Sequence, residues 1–272
     1  MDLPVRLVAT DLDGTLVHSD GSLTQRTRNA LLRAEDEGVE VVFVTGRPLR
    51  WAEDVFEHVG GHGYAIVANG ALIWDVARSS VHLQRAIEPA VGLQVVERLR
   101  AAVPGSHFAV ESLSGIALET DFLTRYPMPP GSRRGTAQEI LTEPAFKLLA
   151  RHEELDAQEF WDRGIAAVGD LVEVTWSSTT ALLEISAQGV TKASTLEMFC
   201  EERGIAAAEV VAFGDMPNDL PMLGWAGTSY AMANAHPTVR DAATHLAGTN
   251  DEDGVAEVIE QLLDTRAALG RG

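Results

Sequence analysis

Four short clusters carry residue types that could do chemistry together: Asp11-Leu-Asp13-Gly-Thr-Leu, Thr45-Gly46-Arg-Pro, Lys192, and Gly214-Asp215-Met-Pro-Asn218-Asp219. A carboxylate attacking a phosphate dianion must first overcome the repulsion of two negative charges, and a hard divalent cation with a lysine lifts that repulsion. Mg2+ takes octahedral oxygen ligands, commonly one or two carboxylates completed by water and substrate oxygens, so Asp11 and Asp215 suit the flanks of one ion. Lys192 would set a point charge on the phosphoryl oxygens. Thr45 offers a hydroxyl, and Gly46 an unobstructed backbone N–H, to an anion arriving at a helix N-terminus.

Such side chains need elements to deliver them. Residues 5–10, 39–44 and 210–213 are aliphatic, β-branched or aromatic runs that stop at Asp-Gly, Thr-Gly and Gly-Asp turns, which is how buried strands end. Ligands bind at the carboxyl edge of open α/β sheets, where all three turns would then lie. Side-chain direction repeats every second residue along a strand, so Asp11 and Asp13 can face one small site. Pro48 and Pro217 read as helix openings, and the four-residue spacing of Asp215 and Asp219 would turn both the same way across a first helical turn.

With these clusters in order, the chain resembles the haloacid dehalogenase superfamily phosphatases of the Cof-type branch (subclass IIB), which carry a large cap domain. Ala68-Asn69-Gly70-Ala71, Gly189-Val-Thr-Lys192 and Asn250-Asp-Glu-Asp-Gly254 are further marks of that branch. The resemblance implies that Asp11 is the nucleophile forming an aspartyl-phosphate and Asp13 the general acid and then base. It implies that Thr45, Gly46, Lys192 and Asn218 hold the phosphoryl group. Asp11, the backbone carbonyl of Asp13 and Asp215 would hold Mg2+, with Asp219 supporting the lysine and the metal. Dehalogenase members lack the second acid, so Asp13 aligns this chain with the phosphatases and mutases. Ala193 departs from the glycine that relatives often have after the lysine, and only local backbone freedom is affected.

The implied fold is α/β: a Rossmann-like, doubly wound, mainly parallel core formed by residues 1–81 and 187–272, with an α+β cap inserted at 82–186. Within the insertion, residues 91–103 and 137–149 read as amphipathic helices, and residues 107–110, 116–119 and 171–176 as strands. Residues 126–131 with Arg133 and Arg134 mark a loop. The cap is expected to close over the core edge and set specificity, with Arg125, Arg133, Arg134 and Trp176 as candidate contacts.

The implied reaction is Mg2+-dependent hydrolysis of a small phosphorylated metabolite, with sugar phosphates, phosphorylated cofactors and phosphoglycolate-like acids all open as substrates. A phosphosugar mutase and a non-catalytic phosphometabolite-binding protein are the alternatives. A formal charge of −19 argues against a nucleic-acid partner. No apolar run reaches membrane-spanning length and the N-terminus lacks a signal-peptide pattern, so no membrane partner and a cytoplasmic location are expected. The single cysteine, Cys200, reads as a buried inert thiol. His58 and His62 have zinc-helix spacing, but Gly60 and Gly61 between them favour a surface loop. The acidic runs at residues 35–37, 153–154 and 251–253 read as solvated faces.

Overall fold

A computed structural model describes residues 5–58, 63–125, 127–175 and 180–269, with β-strands and helices in alternation along both ends of the chain. The chain forms two compact units, residues 1–82 with 192–272, and residues 83–191.

In the first unit the run Leu7–Thr10 is buried at every position and sits between Val210–Gly214 on one side and Glu40–Val44 on the other, parallel to both. Such continuous apolar runs are what a strand covered on both faces requires. Thr228–Ala231 and His245–Leu246 extend the parallel sheet beyond Val210–Gly214. Tyr64–Val67 extends it on the other side, and Leu72–Asp75 turns back antiparallel. Strand order therefore reverses at Leu7–Thr10: the chain first winds toward Tyr64–Val67 and later returns to the opposite flank at Val210–Gly214. That switch point is where the loops after neighbouring strands diverge and leave a crevice. Phe43, Phe199 and Phe213 anchor the packing and are fully buried. Cys200 is buried with them, and burial, with Glu40 nearby, pushes its thiol up to about 12, so it stays protonated.

The second unit is a six-stranded sheet in the order Val172–Thr175, Leu182–Ala187, Lys147–Arg151, His107–Ser112, Gly115–Glu119 and Arg133–Gly135. All its pairings are antiparallel except the last. Phe108, Val110, Leu148, Ala150, Leu183 and Ile185 project from one face into a core shared with the helices Pro89–Ala102 and Ala157–Val168.

Three local expectations are corrected. Residues 137–149 are not one helix: a single turn, Ala137–Ile140, closed by a reciprocal Thr136 and Glu139 cap, gives way to the strand Lys147–Arg151. Pro144 explains the break, because it cannot supply a helical N–H and biases Glu143 toward extended backbone. Pro217 opens one turn of 3-10 helix, Pro217–Asp219, before the helix Leu220–Trp225 begins. The acids of residues 251–253 are not simply solvated. Asp251 accepts from the Ser19 amide and hydroxyl at 2.7 and 2.8 Å, and Asp253 accepts from Thr24, Thr27 and His18 at 2.7, 3.0 and 3.0 Å. They tether the loop that follows Asp13 to the start of the last helix. Among the described residues no helix is long and apolar enough to cross a membrane.

Candidate active site

Asp11 and Asp215 leave adjacent parallel strands at the same edge, since Thr10 pairs with Phe213 and the Asp11 amide bonds the Phe213 carbonyl at 3.1 Å. The turn after Asp11 must then pass close to Asp215. Gly14 makes that possible: it adopts φ +73°, and a Cβ there would lie 2.4 Å from Asp215 Oδ2. Asn234 and Asn250 pin the turn through bonds to the Gly14 and Val17 carbonyls at 2.7 and 2.9 Å.

Lys192, the first residue of the helix Lys192–Arg203, reaches the same place from 181 residues away in sequence. Its Nζ donates to Asp11 Oδ1 at 2.6 Å and to Asp219 Oδ1 at 2.7 Å, and all three side chains are buried. Asp219 Oδ2 accepts from the amides of Asp215 and Met216 at 3.1 and 3.0 Å. Both oxygens of Asp219 are thus committed, one to the lysine and one to the turn that carries Asp215. Thr15 donates to Asp215 Oδ1 at 3.1 Å. Asp11 Oδ2 and Asp215 Oδ2 take no hydrogen bond from a donor among the described residues.

The electrostatics of this group are unbalanced. Asp11, Asp215 and Asp219 offer carboxylate oxygens within 4.8 Å of one another and face a single ammonium, Lys192, so two negative charges are in excess when all are ionised. Burial pushes the Asp11 carboxyl well above the usual carboxylate range; Lys192 opposes the shift, and Asp219 and Asp215 add to it. Asp215 is raised to about 6, first by burial and then by the charge of Asp219. Burial works against the charge on Lys192, but Asp11 and Asp219 more than reverse this and hold it protonated. A buried pocket of hard oxygen donors carrying two surplus negative charges fits a divalent cation, and Asp11 and Asp215 are the residues with oxygens to give it. No other group of three metal-binding side chains gathers among the described residues. His58 ends the helix Leu49–His58, while His62 lies outside the described residues.

Thr45 and Gly46 sit at the end of the next strand. Thr45 is buried, its hydroxyl accepting from the Arg47 amide at 3.0 Å, so it shapes the turn that presents Gly46. Ala68 and Asn69 adopt φ of 51° and 57° and their amides bond the Arg47 and Thr45 carbonyls at 2.8 and 3.1 Å. The left-handed backbone of Ala68 is a strained choice for a residue with a Cβ, and it seats the buried Asn69 side chain against Gly46. Asn218 Nδ2 reaches Asn69 Oδ1 at 3.4 Å. The structure therefore brings together Asp11, Lys192, Asp215 and Asp219 in one charged group, with Thr45, Gly46, Asn69 and Asn218 linked beside each other.

Asp13 stands apart from the buried group, with its side chain more than half exposed and gripped by Arg47. Sequence reasoning assigned no role to Arg47 or Asn69, although both lie inside clusters it singled out. In the second unit Arg134 holds the carbonyls of Glu119, Thr120 and Phe122 at 3.0 to 3.3 Å and Arg133 lies 3.5 Å from Glu143, so both arginines brace their own neighbourhood. Arg125 is exposed; Tyr126 and Trp176 lie outside the described residues.

A family model described as haloacid dehalogenase-like hydrolase matches residues 8–259. A Bacillus subtilis protein named 5-amino-6-(5-phospho-D-ribitylamino)uracil phosphatase is 30% identical over 264 residues, covering 95% of this chain and 96% of the relative. A pyridoxal phosphate phosphatase of Escherichia coli is 27% identical over 273 residues, covering 94% and 98%. Among solved structures, SMU.1108c from Streptococcus mutans superposes with a TM-score of 0.84 at 25% identity, covering 96% of this chain and 99% of that one. A haloacid dehalogenase-like hydrolase from Bacteroides thetaiotaomicron gives 0.75 at 27% identity, covering 95% and 99%.

Proposed function

We propose a two-step phosphoryl transfer for this chain, which belongs to the haloacid dehalogenase-like hydrolase family and is a phosphoric monoester hydrolase. Asp11 attacks the phosphorus of a small phosphorylated metabolite in line with the departing alcohol, Asp13 protonates that alcohol, and the resulting aspartyl-phosphate is hydrolysed by water with Asp13 as base. The observation that carries this reading is the buried group itself: a carboxylate hydrogen-bonded to a lysine, beside a second carboxylate whose other oxygen meets no donor among the described residues.

Lys192 orients Asp11 and offers its charge to the phosphoryl oxygens, and Asp219 keeps Lys192 in place. Thr45 and Gly46, with Asn218 and Asn69 behind them, form the cradle for the remaining phosphoryl oxygens. Mg2+ held by Asp11, Asp215 and the Asp13 carbonyl would supply charge neutralisation between nucleophile and phosphate. A carboxylate raised by burial and by two like charges becomes a competent nucleophile once that surplus charge is met. The relatives named for a ribitylaminouracil phosphate and for pyridoxal phosphate support a phosphorylated cofactor or cofactor precursor as substrate.

Phosphate release from a panel of sugar phosphates and cofactor phosphates, with and without Mg2+, tests the proposal. Release that disappears in Asp11→Asn and in chelator is expected. Wild-type turnover in Asp11→Asn would overturn the nucleophile assignment, and release that persists in chelator would overturn the assignment of Mg2+.

A further inference from the structure

Arg47 holds Asp13 by both oxygens, with Nε donating to Oδ2 at 2.7 Å and Nη2 to Oδ1 at 2.5 Å. This is the fork-to-fork arrangement that only a guanidinium offers a carboxylate. Arg47 is itself fixed. Its Nη1 donates to the Trp51 carbonyl at 3.0 Å, its amide bonds Thr45 Oγ1 at 3.0 Å, and its carbonyl accepts from the Ala68 amide at 2.8 Å. The backbone of Asp13 is held too, through a bridge to Val17. What remains free in Asp13 is the rotation of its side chain, which is more than half exposed and has Arg47 as its side-chain partner among the described residues.

We propose that Arg47 is the positioning residue for Asp13, aiming its carboxyl group at the departing alcohol and then at the attacking water, so that one turn, Thr45-Gly46-Arg47, both cradles the phosphoryl group and orients the acid. This rests on the role proposed above for Asp13. The inference follows from a division of labour visible in the geometry. The buried carboxylates are aligned by Lys192, Thr15 and backbone amides, whereas the exposed one is aligned, among the described residues, by one side chain of the neighbouring loop. An exposed short acid samples several rotamers, and each proton it transfers requires one of them. Two parallel hydrogen bonds from an anchored guanidinium select among those rotamers, and one bond can open toward the substrate while the other keeps the group in register.

The test compares esters that differ in how much they need a proton on the leaving oxygen. In the full-length protein with Mg2+, turnover of p-nitrophenyl phosphate, whose leaving group departs as a stable anion, is measured against an alkyl phosphate such as glycerol phosphate. Arg47→Ala is expected to lower kcat on the alkyl ester by roughly 10- to 100-fold, the size of effect that misplaced catalytic groups produce. The aryl ester should fall by less than about a third of that factor, with KM little changed on either. Arg47→Lys should not restore the alkyl rate, because an ammonium cannot grip both oxygens. In an Asp13→Asn background, Arg47→Ala should add no further loss.

Equal losses on both esters with a raised KM would overturn the inference and make Arg47 a substrate contact; unchanged kinetics in Arg47→Ala would overturn it as well. The comparator separates the two layers of argument. If Asp13→Asn itself leaves the alkyl-to-aryl ratio unchanged, the assignment of Asp13 as acid fails. If Asp13→Asn shifts that ratio and Arg47→Ala does not, only the role of Arg47 fails.

Discussion

Replacing Asp215 with Asn should make the metal-free protein more stable at neutral pH while removing its response to Mg2+. The folded-state pKa of Asp215 is about 6 against 3.8 for the free carboxyl. Between those values the native state binds the proton that the unfolded chain has released, so stability falls as pH rises through this window and the loss is complete above about 6. Two pH units at about 1.4 kcal/mol each make the ionised carboxylate cost roughly 3 kcal/mol in the absence of metal. Asn carries no charge, and its Oδ1 can still accept from the Thr15 hydroxyl. Thermal unfolding in chelator at about pH 7.5 should therefore show Asp215→Asn melting roughly 6–12 °C above the wild type, at about 2–4 °C per kcal/mol for a unit of this size. Near pH 5 the gap should narrow, because most wild-type Asp215 is then protonated. Added Mg2+ should raise the wild-type melting temperature at neutral pH and leave the variant nearly unmoved. A variant that melts at or below the wild type in chelator, or that keeps the full Mg2+ shift, would refute the argument that surplus buried charge is what the cation relieves.

The same titration should appear in catalysis: below about pH 6 the Mg2+ concentration for half-maximal turnover should climb toward tenfold per pH unit, since the metal must displace a proton from Asp215; a half-saturation value flat from pH 5 to about 8 would contradict it. Gly14→Ala puts a Cβ 2.4 Å from Asp215 Oδ2 on a residue at φ +73°, so a stability loss of about 1–3 kcal/mol with turnover reduced more than about tenfold is expected from a chemical-denaturation curve and a phosphate-release assay. Lys192→Met removes the one cation from among three buried carboxylates and should cost about 3–5 kcal/mol in metal-free chemical denaturation at neutral pH, with part of the loss recovered on adding Mg2+.

The charged group was legible in the sequence because its chemistry and its delivery are written in the same short words. An apolar run that ends in Asp-Leu-Asp-Gly announces both a strand edge and two acids, and Gly14 can be read there as a turn residue even before Asp215 is seen to press against it. Lys192 has no such local signature; its place beside Asp11 depends on a contact spanning most of the chain, which resemblance to a family supplied and spacing could not. Residues 137–149 mislead because their apolar periodicity masks the break at Pro144, and because the strand Lys147–Arg151 begins and ends on buried cations that do not look like a strand interior. Arg47 and Asn69 were invisible for a deeper reason. Each acts by a side-chain direction that its own segment does not determine: Arg47 toward a carboxylate 34 residues earlier, Asn69 through a left-handed backbone next to Gly46. Motifs identify the groups that touch a substrate, because chemistry restricts their types. The residues that aim those groups are restricted only by geometry, so they surface when the loops are seen together, and the grip of Arg47 on Asp13 is the case in which that difference can be measured.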